Sequence, residues 1–90
     1  MKIPTHDYFM HLDLPIYGKV GLIEGKGSHY FSAMSKSSKD MSKFIKFLIL
    51  ELLVVDGLFV TEEFLDSMSL KDVSYLITVV GTMMDDNFKI

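Results

Sequence analysis

Between Phe44 and Val55 the chain is apolar at every position except Lys46 and Glu51, and Asp56-Gly57 then stops the run. In a chain of 90 residues this stretch has to be central. Read at helical spacing, Met41, Phe44, Ile45, Leu48, Leu52 and Val55 form one stripe. Phe47, Ile49, Leu50, Leu53 and Val54 carry the apolar surface further around the cylinder. A helix apolar nearly all round is buried on several sides. The reading is a helix over about 39–55, with Gly57 at the position after its C-cap, where a left-handed conformation costs glycine nothing. So small a domain buries only about 60% of its unfolded surface. Part of this helix is therefore expected to meet another chain, with Phe47, Leu50 and Val54 as the contact residues and self-association as one outcome.

The flanking segments read as an α+β, mainly α, single domain over 1–90. From Asp7 to Leu14 the sequence alternates, with Tyr8, Met10, Leu12 and Leu14 on one side and Asp7, Phe9, His11 and Asp13 on the other. A period of two marks a half-buried strand. Pro15-Ile16-Tyr17-Gly18 is a turn sequence, and Lys19 to Glu24 returns with Val20 and Leu22 on one face. The expectation is an N-terminal β-hairpin over about 7–24, packed on three or four helices. Ser28 would cap a short helix over 29–34. Ser35-Lys36-Ser37-Ser38 would be a polar, flexible loop, with Ser37 or Ser38 capping the long helix. Thr61 would cap a helix over 62–67, and Glu62 and Glu63 suit its positive end. Ser69, with Asp72 three residues on, would cap a last helix over 70–84, with Met68 and Val73 as a hydrophobic staple. Leu70, Val73, Leu76, Ile77, Val80 and Met84 form its apolar stripe, and Phe88 and Ile90 fall in a short tail.

Composition narrows the function. With no cysteine there is neither a disulfide framework nor a thiolate metal site. The net charge is −3 and every cation is Lys. The basic patch with bidentate Arg contacts that marks nucleic-acid binders is missing, and Lys36, Lys39, Lys43 and Lys46 read as a solvated helix face. The start of the chain has no secretory apolar segment, and the Phe44–Val55 run is far shorter than the roughly 20 residues of a membrane span. A cytoplasmic protein with no membrane or nucleic-acid partner is expected.

No residue set promises catalysis. His6, Asp7, His11 and Asp13 suggest a metal site, but His6 and His11 point to opposite strand faces. Only Asp7, His11 and Asp13 share a face, an unusual zinc set. Asp56 and Asp85-Asp86-Asn87 lack calcium-loop spacing. No serine lies in a Gly-x-Ser-x-Gly elbow, and the hairpin glycines do not form a phosphate loop. Glu62, Glu63 and Asp66 are explained by a helix start. No cofactor, no metal and no enzymatic activity are expected. The methionines are a better guide. Their thioether chains re-pack around varied partners, and Met83, Met84 and Phe88 near the C-terminus are candidate contact residues.

One stretch carries a resemblance. Val55-Asp56-Gly57, Val60-Thr61-x-Glu63-x-Leu65-Asp66-x-Met68-x-Leu70-x-Asp72 is similar to a pattern in the small tail assembly chaperones of long-tailed bacteriophages. Leu14-Pro15-x-x-Gly18-Lys19 resembles that family's hairpin, Gly27-x-His29 with Ala33-Met34 its short helix, and Asn87-Phe88 its closing dipeptide. Together these span most of residues 12–88. The Arg-free composition, Phe59 and Phe64 depart from the pattern. The resemblance implies a mostly helical protein of the host bacterial cytoplasm that binds the tape-measure protein and keeps it soluble before tail-tube polymerisation, with self-association in some members. It supplies no catalytic residue. The competing expectation is a small regulatory or inhibitory factor, antitoxin-like or host-takeover, acting on one folded enzyme.

Overall fold

The computed structural model describes residues 3, 4, 7–38 and 40–88, with the side chains of 41, 42 and 85–88 outside the description. Strands β1 (Met10–Leu14) and β2 (Gly18–Leu22) are followed by helices α1 (Gly27–Lys36) and α2 (Met41–Leu52). Strands β3 (Leu53–Val55) and β4 (Leu58–Phe59) come next, then helices α3 (Glu62–Ser67) and α4 (Leu70–Phe88). The sheet is antiparallel in the order β1-β2-β3-β4. The chain is thus α+β and mainly α, with the hairpin expected at its N-terminus.

The sheet is larger than that hairpin because the long apolar helix ends early. Helix α2 stops at Leu52, and residues 53–55, expected to be its last turn, are a strand paired with β2 through Gly21↔Val54 and Leu22↔Leu53. Asp56 (φ 53°) and Gly57 (φ 82°) are both left-handed, and Val55 pairs with Leu58 across them. This is a two-residue hairpin turn, which needs positive φ at both central residues and favours Asp-Gly. Gly57 therefore turns a hairpin, not a helix end. Val54 and Val55, β-branched and stiff at χ1, suit the pleated sheet better than a helix.

Alternation then sorts the sheet's two faces. Leu12, Leu14, Val20, Leu22, Leu53 and Val55 point inward and join Ala33, Phe44, Leu48, Ile49, Leu52, Leu65, Leu76 and Val80 in one core. The opposite face carries the row His11↔Gly21↔Val54↔Phe59. Tyr8 covers this row; it was expected on the inward side beside Met10. A Cβ on Gly21 would fall inside the Tyr8 ring, and the ring stands 5.3 Å from His11. The Gly57 backbone N–H donates to the Tyr8 hydroxyl at 3.1 Å, and the Ile3 N–H donates to the Gly57 carbonyl at 2.7 Å. The segment before β1 thus crosses the outer face and fastens to the β3–β4 turn.

Helix boundaries differ from expectation where local hydrogen bonds decide. Helix α1 begins two residues early: Lys26 is its N-cap, and its backbone N–H donates to His29 Nδ1 at 3.0 Å, so Ser28 is not the cap. Ser37 does not cap α2. It ends α1, is buried, and donates its hydroxyl to the Met34 carbonyl at 2.8 Å. Ser38 follows with φ 54°, the left-handed residue that turns the chain. Thr61 caps α3 as expected, accepting from Phe64 N–H at 3.1 Å. Helix α4 runs on to Phe88, past the expected end at 84.

Ser69 caps α4, accepting from Lys71 N–H at 3.2 Å. Its expected partner Asp72 does something else. The Asp72 carboxylate is buried and reaches across to the β1–β2 turn, accepting from Ile16 N–H at 2.8 Å and from Tyr17 N–H at 2.9 Å. A capping-box spacing is therefore used as a tertiary clasp.

Candidate functional site

An apolar groove of about 500 Å³ lies between the β2–α1 loop, the start of α1 and the C-terminal half of α4. Core-facing positions supply its floor: Leu48 and Leu52 from α2 and Val80 from α4. One further turn of α4 brings Met83 and Met84 to the wall, both half-buried. The opposite wall is aromatic. Tyr30 packs edge-on against Phe44 of α2 at 4.9 Å, which holds it in place, and Phe31 lies edge-on to Tyr30 at 5.6 Å. Phe9 closes one end. Phe31 and Phe9 are 71% and 55% exposed, more than a folded core requires of such side chains.

Polar groups sit at the mouth of this groove. Glu24, Lys26 and His29 line it, the last fixed by its bond from the Lys26 N–H. Gly25 and Gly27 flank Lys26 in this loop, and a Cβ on Gly25 would lie in ordinary contact with Leu52 at 3.6 Å. A concave apolar surface with adaptable Met side chains and aromatic walls suits the apolar face of a helix.

The candidate contact residues fall into separate places. Met83 and Met84 lie together in the groove. Phe47 and Leu50 are half-buried on α2 and pack against the core. Val54 is fully buried under the outer sheet face beside Tyr8, so it presents no surface to a partner. Its reassignment follows from the strand at 53–55, which turns it away from the neighbours of a helical Leu50. The Phe88 backbone continues α4, and its side chain lies outside the described residues. Phe31 and Phe9 are groove residues that sequence reasoning missed. Phe9 was placed on the polar side of its strand with Asp7, His11 and Asp13, and Phe31 fell in a short helix with no stripe assigned, so neither pointed to a groove.

The charged side chains mostly tie helices together. Lys36 of α1 pairs with Glu51 of α2 at 2.7 Å. The Lys36 ammonium holds the Glu51 carboxyl below its ordinary value, against the opposing effect of burial. Lys46 of α2 pairs with Glu62 at 2.8 Å and Asp66 at 2.9 Å, which raises its pKa, the Asp66 bond first. These carboxylates, read as dipole partners of α3, also fasten α3 to α2. Lys43 is exposed, and Lys39 lies outside the described residues. His11 and Asp13 stand on the outer face of β1, and His6 lies outside the described residues. Among the described residues no three His, Cys, Asp or Glu side chains are placed to hold a metal ion. Among them, too, no helix is long and apolar enough to cross a membrane.

No family model, no curated protein and no solved structure matches the chain.

Proposed function

We propose that the chain is an assembly chaperone that binds the tape-measure protein of a long-tailed bacteriophage in the host cytoplasm and keeps it soluble until the tail tube forms. The observation that carries this reading is the apolar groove walled by Met83, Met84, Tyr30 and Phe31. A tape-measure protein is long, helical and apolar along one face, and such a face fills a groove of this kind. The resemblance running from Val55 to Asp72 adds the partner's identity. Binding is the chain's work in this reading, and no residue acts as a catalyst.

Co-expression with a tape-measure protein encoded nearby tests it. The partner should move from the insoluble to the soluble fraction. The complex should survive high salt, since apolar burial is not screened as exposed ion pairs are. Met83→Glu with Met84→Glu should abolish solubilisation while the free chain keeps its circular dichroism spectrum. A partner that stays insoluble would refute the reading. Specific capture of one folded enzyme instead would establish the inhibitory alternative.

A further inference from the structure

The two edges of the sheet are unlike. At one end β4 is only two residues long, and a short edge offers little to pair with. At the other, β1 runs five residues from Met10 to Leu14, pairs among the described residues only with β2, and contains neither Lys nor Pro, two residues that commonly blunt an edge. Successive strand residues turn their N–H and C=O groups to alternate sides, so half of the backbone groups of β1 face away from β2. Among the described residues no hydrogen bond outside the sheet reaches the backbone of His11, Leu12 or Asp13.

We propose that β1 pairs antiparallel with β1 of a second copy of this chain, about a twofold axis at Leu12, to make one continuous eight-stranded sheet. The sequence of the edge selects this register. Centred on Leu12, His11 of each copy lies across from Asp13 of the other, on the exposed outer face where both side chains already stand. The imidazole N–H donates to that carboxylate whether the ring is neutral or protonated, so both cross-strand pairs are complementary. Pairing with a one-residue slip would set inward Leu side chains against outward polar ones. The twofold operator also covers apolar surface. Phe9 and Ile16, at the two ends of β1, are 55% and 63% exposed, and the pairing brings Phe9 of one copy beside Pro15 and Ile16 of the other. An interface that contacts itself through one patch is the commonest form of oligomer.

The test uses the absence of cysteine in the natural chain. Sedimentation equilibrium of the full chain should give twice the 10.3 kDa chain mass. His11→Glu sets a carboxylate opposite Asp13 and should return the mass to that of one chain. Its β2 neighbour is Gly21, and the Tyr8 ring stands beside it at 5.3 Å on the outer face. A circular dichroism spectrum like that of the natural chain separates lost pairing from lost folding. Register is read by disulfide formation between His11→Cys and Asp13→Cys. A mixture of the two single variants should cross-link under mild oxidation, and neither should do so alone. A natural chain that sediments as one copy overturns the proposal. So does a dimer that persists in His11→Glu and is lost in Leu50→Glu, which would place the contact on α2. Cross-linking no greater in the mixture than in the single variants overturns the register.

Discussion

Asp72 shows how one side chain changes meaning between sequence and structure. Three residues after Ser69 it looks like the acid of a capping box, and Ser69 does cap α4. The carboxylate instead accepts two backbone N–H groups of a turn that lies 55 and 56 residues earlier in the chain. Hydrogen bonds to a charged group contribute about 1.5–3 kcal/mol each. Asp72→Ala should therefore lower stability by about 3 kcal/mol and shift the melting midpoint down by more than ten degrees, as thermal unfolding of the purified chain would show. Gly81 behaves in the opposite sense. It lies inside α4, and a Cβ there meets nothing within 4 Å. Glycine in a helix interior is about 0.8–1 kcal/mol less favourable than alanine, so Gly81→Ala should raise the midpoint by a few degrees.

At the scale of elements, the central finding is that one apolar run splits into α2 and β3. Both outcomes bury the same side chains, and burial drives each equally. The turn decides between them, because Asp56 and Gly57 take the backbone of a tight hairpin and β3 then finds an open side of β2. Valines flanking Asp-Gly are a hairpin signal. The helical stripe upstream masked it, since Leu52 and Val55 fit either period. The helices are joined to one another by ion pairs as well as by the core, and these respond to pH. Lys36 lowers the pKa of Glu51, whose ordinary value is 4.5. The pair's contribution is thus complete above pH 4.5 and is lost as the pH falls through the lower folded-state value. With Lys36 largely exposed, that contribution is at most about 1 kcal/mol. Glu51→Gln should melt slightly lower than the natural chain at neutral pH, and the two curves should converge in acid. For Lys46 the sign reverses: its raised pKa means its pairs persist until strongly alkaline pH.

On the scale of the whole molecule, the helices cover one face of the sheet and the N-terminal segment crosses the other, with Tyr8 fastened to Gly57. Among the surfaces this leaves open are the groove between α1 and α4 and the free edge of β1. Phe9 borders both, but Met83 and Met84 of α4 line the groove and His11 of β1 does not, so partner binding and self-pairing should be separable at those residues. Met83→Glu with Met84→Glu should leave the sedimenting mass unchanged, and His11→Glu should leave solubilisation of the partner unchanged. Measuring both properties on both variants checks this independence. A loss of both in either variant would mean that the surfaces are coupled.

The sequence by itself determined the local features, because each depends on neighbours in the chain. The hairpin over β1 and β2 follows from alternation and Pro15–Gly18, and the caps Thr61 and Ser69 follow from residue type beside an apolar stripe. Helix α3 lies where Thr61, Glu62 and Glu63 put it. Met83 and Met84, singled out together from the sequence, do lie together in the structure, in the wall of the groove. Only the tertiary structure decided what depends on distant groups. The end of α2 at Leu52 requires a strand, β2, more than thirty positions earlier to accept β3. The role of Asp72 requires the hairpin turn to lie beside the start of α4. The burial of Val54 requires Tyr8 on the outer face, and the groove requires Phe31 of α1 and Met83 of α4, which are far apart in the chain. Local periodicity reports which side of an element is apolar. Which other element that side will meet is fixed only when the chain packs.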